Sequence, residues 1–69
     1  MLTALIRELR LKQGLTQVEV CAALRMPQSF MSDVETGQRR LDLVQLHELC
    51  KVLGVSLKSL VGTFEQRIR

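Results

Sequence analysis

Apolar residues recur at helical spacing from the start of the chain. Leu2, Leu5, Ile6 and Leu9 stand at i, i+3, i+4 and i+7, one face of a helix, with Arg7, Glu8, Arg10 and Lys12 on its other sides. Gly14 suits the left-handed residue that ends such a helix. A second helix is announced by Thr16-Gln17-Val18-Glu19, a capping box in which the Thr hydroxyl and the Glu carboxylate each take the other residue's backbone N–H. Val20, Cys21 and Leu24 form its buried stripe, and Met26-Pro27 closes it, because a proline disfavours helical geometry in the residue before it. Proline also fits a helix start, so a third helix begins at about Pro27 or Gln28 and stops at Gly37. About three residues separate the second helix from the third.

Gln38 to Leu41 is a basic loop. Asp42 caps a fourth helix whose apolar face is Leu43, Leu46, Leu49, Cys50 and Leu53, and Gly54 ends it. Ser56 caps a fifth, with Leu57, Leu60, Val61, Phe64 and Ile68 at helical spacing. No stretch alternates with period two for the length of a strand. The expectation is one all-α domain, residues 1–69.

Composition narrows what such a domain does. Hydrophobic residues make up 46% of the chain, enough for a core and too many for a disordered segment. Aromatics are 3%, both Phe, so there is no platform for stacking unpaired bases. The net charge of +3 suits a polyanionic partner without specifying one. Cys21 and Cys50 stand apart with a single His elsewhere, so no metal site is expected and both thiols read as buried and reduced. No apolar run approaches the ~20 residues that span a bilayer, and no signal peptide is visible, which gives a cytoplasmic expectation. There is no nucleophile–base pair, carboxylate pair or phosphate-binding glycine loop, so neither catalysis, a cofactor nor a small-molecule ligand is expected.

Two short helices joined by a tight turn make a helix-turn-helix, here about residues 16–36, whose second helix can enter the major groove. At about 100° per residue, Gln28, Ser32, Thr36, Ser29 and Asp33 share one polar face of the third helix, and Pro27, Phe30, Met31 and Val34 lie opposite. The polar face carries no Lys or Arg and no long Glu, unlike an ordinary solvated surface.

Taken together, Gly14-Leu15-Thr16-Gln17, the run Gln28-Ser29-Phe30-Met31-Ser32-Asp33-Val34-Glu35-Thr36-Gly37, and Leu53-Gly54-Val55-Ser56 resemble the Cro and phage-repressor type of helix-turn-helix proteins, the Xre family. The match runs without gaps from about Ile6 to Val61. The resemblance implies a five-helix, lambda-repressor-like fold. It implies base contacts from Gln28, Ser29, Ser32 and Asp33, with the Gln28 amide suited to adenine N6 and N7. It implies backbone contacts from Gln17, which also supports Gln28, and from Phe30, Thr36, Arg39 and Arg40. Arg10 and Glu35 match a pair that forms a salt bridge between helices. Three positions depart from the family pattern. Arg25 stands where a turn glycine is common and is expected at a phosphate or in solvent. Cys21 replaces a small Ala between the motif helices. Asp33 is an acid facing DNA, able to accept from cytosine N4, to pair with a neighbouring side chain, or to weaken binding. With few positive charges in the motif, the N–H groups at the starts of the second and fourth helices are expected to share in phosphate binding.

The family's symmetric dimers read half-sites about 34 Å apart. The segment 57–69, through Val61, Phe64 and Ile68, is the expected homodimer surface; the alternative is that these residues fold back onto the first helix. The function implied is a transcriptional regulator, most readily a repressor, acting on a near-palindromic operator. An antitoxin or a restriction-modification controller fits the same domain. A protein-interaction module that has lost DNA binding is the reading of another class.

Overall fold

A computed structural model describes residues 2–69. Five helices follow in order: α1 Leu2–Lys12, α2 Gln17–Leu24, α3 Ser29–Glu35, α4 Leu43–Leu53 and α5 Leu57–Arg67. No strand occurs among the described residues. Thr16, Asp42 and Ser56 are N-caps in extended conformation, and their side chains accept from the N–H groups of Glu19, Gln45 and Ser59 at 3.1, 2.7 and 3.0 Å. Each bond satisfies one of the donors that a helix start leaves without an internal partner.

The first four helices end alike. A residue with positive φ stands at Gly14, Arg25, Gly37 and Gly54, and its N–H bonds the carbonyl three residues back. The next N–H then reaches five residues back, as in Met26 to the Cys21 carbonyl at 2.9 Å. This is the Schellman closure, which satisfies the last carbonyls of the helix. Arg25, at φ 57°, is the one non-glycine residue among the described residues in this conformation.

The main core gathers Ile6, Val20, Cys21, Phe30, Met31, Val34, Leu49 and Leu53, all nearly inaccessible. Every helix but α5 contributes to it, so it welds the helix-turn-helix to α1 and α4. A smaller cluster of Leu5, Cys50 and Leu60 joins α5 to α1 and α4. Both cysteines are free and buried, and burial pushes the Cys50 thiol up from its ordinary value.

Two expectations need correction. Leu43, placed by its spacing on the apolar face of α4, is 68% exposed. It is the first residue of the helix; Leu46, one turn later, is partly buried against the core, and the fully buried residues are Leu49, Cys50 and Leu53. Phe64, expected at a partner surface, is half-buried and packs on the Leu5–Cys50–Leu60 cluster. The fold-back alternative therefore holds for Phe64, whereas Val61 and Ile68 stay 46% and 48% exposed.

Candidate nucleic-acid interface

The apolar side of α3 fixes its polar side. Phe30, Met31 and Val34 are 3%, 0% and 2% exposed, and with all three anchored the helix cannot roll. Gln28 and Ser29 are then exposed at its start, with Ser32 and Asp33 partly exposed on the same side. The helix itself begins at Ser29; Gln28 is its N-cap, already in helical conformation, and the Phe30 N–H bonds the Pro27 carbonyl at 2.9 Å. Four residues rather than about three thus link α2 to α3.

Two polar ties hold α3 in place. Cys21 donates from Sγ to the Gln28 carbonyl at 3.6 Å and accepts the Met31 N–H at 3.4 Å. The sulfur therefore takes one of the orphan donors in the first turn of α3, which a smaller Ala would leave open. At the other end, Arg10 grips Glu35 at two points, 2.6 and 3.0 Å, and donates a third bond to the Leu15 carbonyl at 2.8 Å. The side chains are only 9% and 4% exposed, and the bond to Glu35 holds the Arg10 guanidinium above its ordinary range. The bidentate pairing ties the end of α3 to α1.

Gln17 occupies a different place from the one its sequence match implies. Its Nε2 donates to Glu35 Oε1 at 3.2 Å rather than to Gln28. It supports the far end of α3, because the Arg10–Glu35 pair offers a charged acceptor within reach. Phe30 is also withdrawn from the backbone-contacting set. Its ring lies in the core, and its N–H is taken by Pro27. The Thr36 hydroxyl donates to the Ser32 carbonyl at 2.9 Å and is spent on closing the helix.

Arg25, Arg39 and Arg40 are exposed and form no ion pair among the described residues. The loop after α3 folds back onto it: the N–H groups of Gln38 and Arg39 bond the Asp33 carbonyl at 2.8 and 3.1 Å. The Arg39 guanidinium carbon lies 4.8 Å from the centre of the Phe30 ring. The Asp33 carboxylate has no ion-pair partner among the described residues, so the pairing alternative for this acid finds no partner here. The surface that results carries a short hydrogen-bonding face at the exposed start of α3, with exposed cations on the adjoining turns. Such an arrangement matches base edges flanked by phosphates.

Two features lay outside the reach of sequence reasoning. The Gln17–Glu35 bond joins residues 18 apart, and the Phe30–Arg39 stack crosses a loop, so neither has a local periodic signal. No group of metal-ligating side chains occurs among the described residues, and no helix is long and apolar enough to cross a membrane.

Comparison with known proteins agrees with this geometry. The family described as "Helix-turn-helix domain" matches residues 2–61. An uncharacterized HTH-type transcriptional regulator, y4dJ of Sinorhizobium fredii, is 43% identical over 77% of this chain and 69% of its own length. An XRE-family like protein from Pseudomonas syringae pv. tomato superposes with a TM-score of 0.90 at 35% identity, over 99% of this chain and 83% of its own. A point mutant of the restriction-modification controller protein C.Esp1396I superposes with a TM-score of 0.87 at 25% identity, over 97% of this chain and 85% of its own.

Proposed function

This chain belongs to the helix-turn-helix domain family of DNA-binding transcriptional regulators, and from that premise we propose that it represses transcription in the cytoplasm as a homodimer on a near-palindromic operator. It acts by binding, not by catalysis. The observation that carries this reading is the exposed face of α3, with Gln28 and Ser29 at its start and Ser32 and Asp33 beside them, held by a fully buried opposite face. Gln28 reads an A·T pair through its amide, and Asp33 accepts from a cytosine amino group. Arg39, Arg40 and Arg25 neutralise phosphates, which sets register and supplies the salt-sensitive part of the affinity. Val61 and Ile68 supply the apolar centre of the dimer contact on α5.

Titration against mixed-sequence duplex DNA at two salt concentrations tests the assignment. Binding that weakens steeply with salt is expected, and binding indifferent to salt would sink it. Two substitutions then separate the roles. Gln28→Ala should cost about 1–3 kcal/mol and relax preference at one base pair. Arg39→Ala should weaken all sequences alike and reduce the salt slope by about one. If the two variants behaved identically, the division between base reading and phosphate binding would be wrong.

The likeness to a restriction-modification controller protein, spanning 97% of this chain, favours one second reading: control of a neighbouring gene pair by the same operator chemistry. Promoter-fusion assays with the flanking genes would separate it from general repression.

A further inference from the structure

We propose that Phe30 is a positioning residue for DNA binding, acting through Arg39 and not by touching the duplex. The proposal rests on the assignment of Arg39 to a phosphate. Phe30 sits on the buried side of α3 and is 3% exposed. The chain leaves α3 at Gly37 in the left-handed conformation and doubles back, with the N–H groups of Gln38 and Arg39 both on the Asp33 carbonyl. That turn delivers the Arg39 guanidinium over the Phe30 ring, 4.8 Å from its centre. Arg39 is thus fixed at both ends, by its backbone N–H and by its side-chain head. Arg40, next in the chain, makes no side-chain hydrogen bond or ion pair among the described residues.

The ring's negative face attracts the cation. A guanidinium held by its face keeps its N–H donors free at its edge, where a phosphate binds. The cost of ordering this long side chain then falls on folding instead of on DNA binding. This explains how an aromatic side chain at a position expected to contact the DNA backbone serves that contact from inside the core.

The test is a double-mutant cycle read by fluorescence anisotropy on a labelled mixed-sequence duplex, using wild type, Phe30→Leu, Arg39→Ala, the double variant and Arg39→Lys. Phe30→Leu keeps the site apolar and removes the π face. It should weaken binding about two- to five-fold, as expected for a cation–π contact near a surface. The same change should have no effect once Arg39 is Ala. Arg39→Lys keeps the charge and loses the planar stack, so affinity should fall while the salt slope persists. NMR adds an independent signature: the Arg39 side-chain protons should be ring-current shifted, and the shift should vanish in Phe30→Leu.

Equal losses from Phe30→Leu in both Arg39 backgrounds overturn the positioning role and leave Arg39 as a phosphate contact. Unchanged affinity in Arg39→Ala overturns the phosphate assignment itself, and the positioning role with it. If Phe30→Leu does not fold, Arg39→Lys and the wild-type ring-current shift decide. Wild-type affinity in the lysine variant, or an unshifted Arg39, overturns the proposal; loss of affinity with a shifted Arg39 upholds it.

Discussion

Helices α2 and α3 place five side chains in the main core, Val20, Cys21, Phe30, Met31 and Val34, whereas α5 buries Leu60 alone. The two motif helices have eight and seven residues and are too short to hold themselves in water. Their rigidity is tertiary: a dry face, a sulfur contact at one end of α3 and a buried ion pair at the other. Helix α5 is longer, at 11 residues, yet is attached by one leucine, the half-buried Leu57 and Phe64, and an exposed Arg67–Glu8 pair of small expected value. Shape is thus fixed where DNA is proposed to be read, and apolar surface is left loosely committed where a second copy is proposed to pack. Segments with few buried contacts open first under native conditions.

The largest effect should come from breaking the tie at the end of α3. Glu35→Ala leaves Arg10 almost buried with only the Leu15 carbonyl as partner, and should cost about 3–5 kcal/mol. Chemical denaturation would measure this. The contrast sharpens if Arg10→Met combined with Glu35→Leu recovers much of the loss, since an apolar pair carries no desolvation penalty. Recovery of stability without recovery of DNA affinity would assign the ion pair to orienting α3. A loss under about 1 kcal/mol in Glu35→Ala would mean that α3 is held by its apolar face alone.

The opposite end of the contrast is probed at Val61. An aspartate there meets solvent in the monomer and an apolar partner in the proposed dimer. Val61→Asp should change monomer stability by no more than about 0.5 kcal/mol, yet raise the dimer dissociation constant at least about ten-fold, the equivalent of about 1.4 kcal/mol. Sedimentation equilibrium gives the second quantity. If the parent and the variant associate alike, α5 is not the contact. The exposed Leu43 and Val44 of α4, and Leu11 and Val18 on α1 and α2, would then be the apolar surfaces to test.

The same contrast decides what the sequence could disclose. Every helix was legible, because caps and left-handed closures are local: Thr16, Asp42, Ser56 and the glycines act on residues within five positions of themselves. The polar face of α3 was legible for the same reason, as its positions from Gln28 to Thr36 lie within nine residues of chain. Relations between helices were less so. Spacing put Leu43 on a buried face without knowing that no neighbour covers the first position of α4, although Leu46 one turn later packs on the core. It treated Phe64 as surplus because the site that α1 and α4 leave for it is formed by residues 14 to 59 positions away. Gln17 was assigned to Gln28 by resemblance, and the nearer charged acceptor at Glu35 appears only once α1, α2 and α3 are assembled.

Arg25 offers a smaller and more local test. It closes α2 in a conformation that glycine adopts without strain and that other residues adopt at a cost. Its three counterparts are all glycine. Arg25→Gly should therefore raise stability by about 0.5–1 kcal/mol, the relief of strain being partly offset by the freer unfolded chain. If arginine is kept there for a phosphate, the stabilised variant should bind DNA less tightly with a shallower salt slope. A variant both more stable and equally tight in binding would show that Arg25 serves neither the turn nor the duplex.

The smallest expected effect lies at the start of α2 and concerns pH. The Thr16 backbone N–H donates to Glu19 at 2.9 Å and, with the Thr16 side chain, lowers the Glu19 carboxyl from its ordinary value. The Arg67 guanidinium lowers Glu8 in the same direction. A carboxyl that is more acidic when folded binds fewer protons folded than unfolded. Its contribution is therefore complete above its unfolded value of about 4.3 and is lost as pH falls through the lower folded value. Thermal melts should accordingly shift downward as pH falls below about 4.5, and hardly at all between about 5.5 and 7.5. Glu19→Gln retains an acceptor for the Thr16 N–H and removes the titration. It should leave the midpoint at neutral pH nearly unchanged and flatten part of the acid slope, while Glu8→Gln flattens another part. Because Glu19 caps a motif helix and Glu8 tethers α5, amide exchange recorded along the acid titration sorts the two. Loss at Glu19 should loosen α2 together with the core it is welded to, whereas loss at Glu8 should free α5 alone. Simultaneous loosening of both regions in Glu8→Gln would mean that the smaller cluster is as cooperative as the main core, and that α5 is not the loosely held element described above.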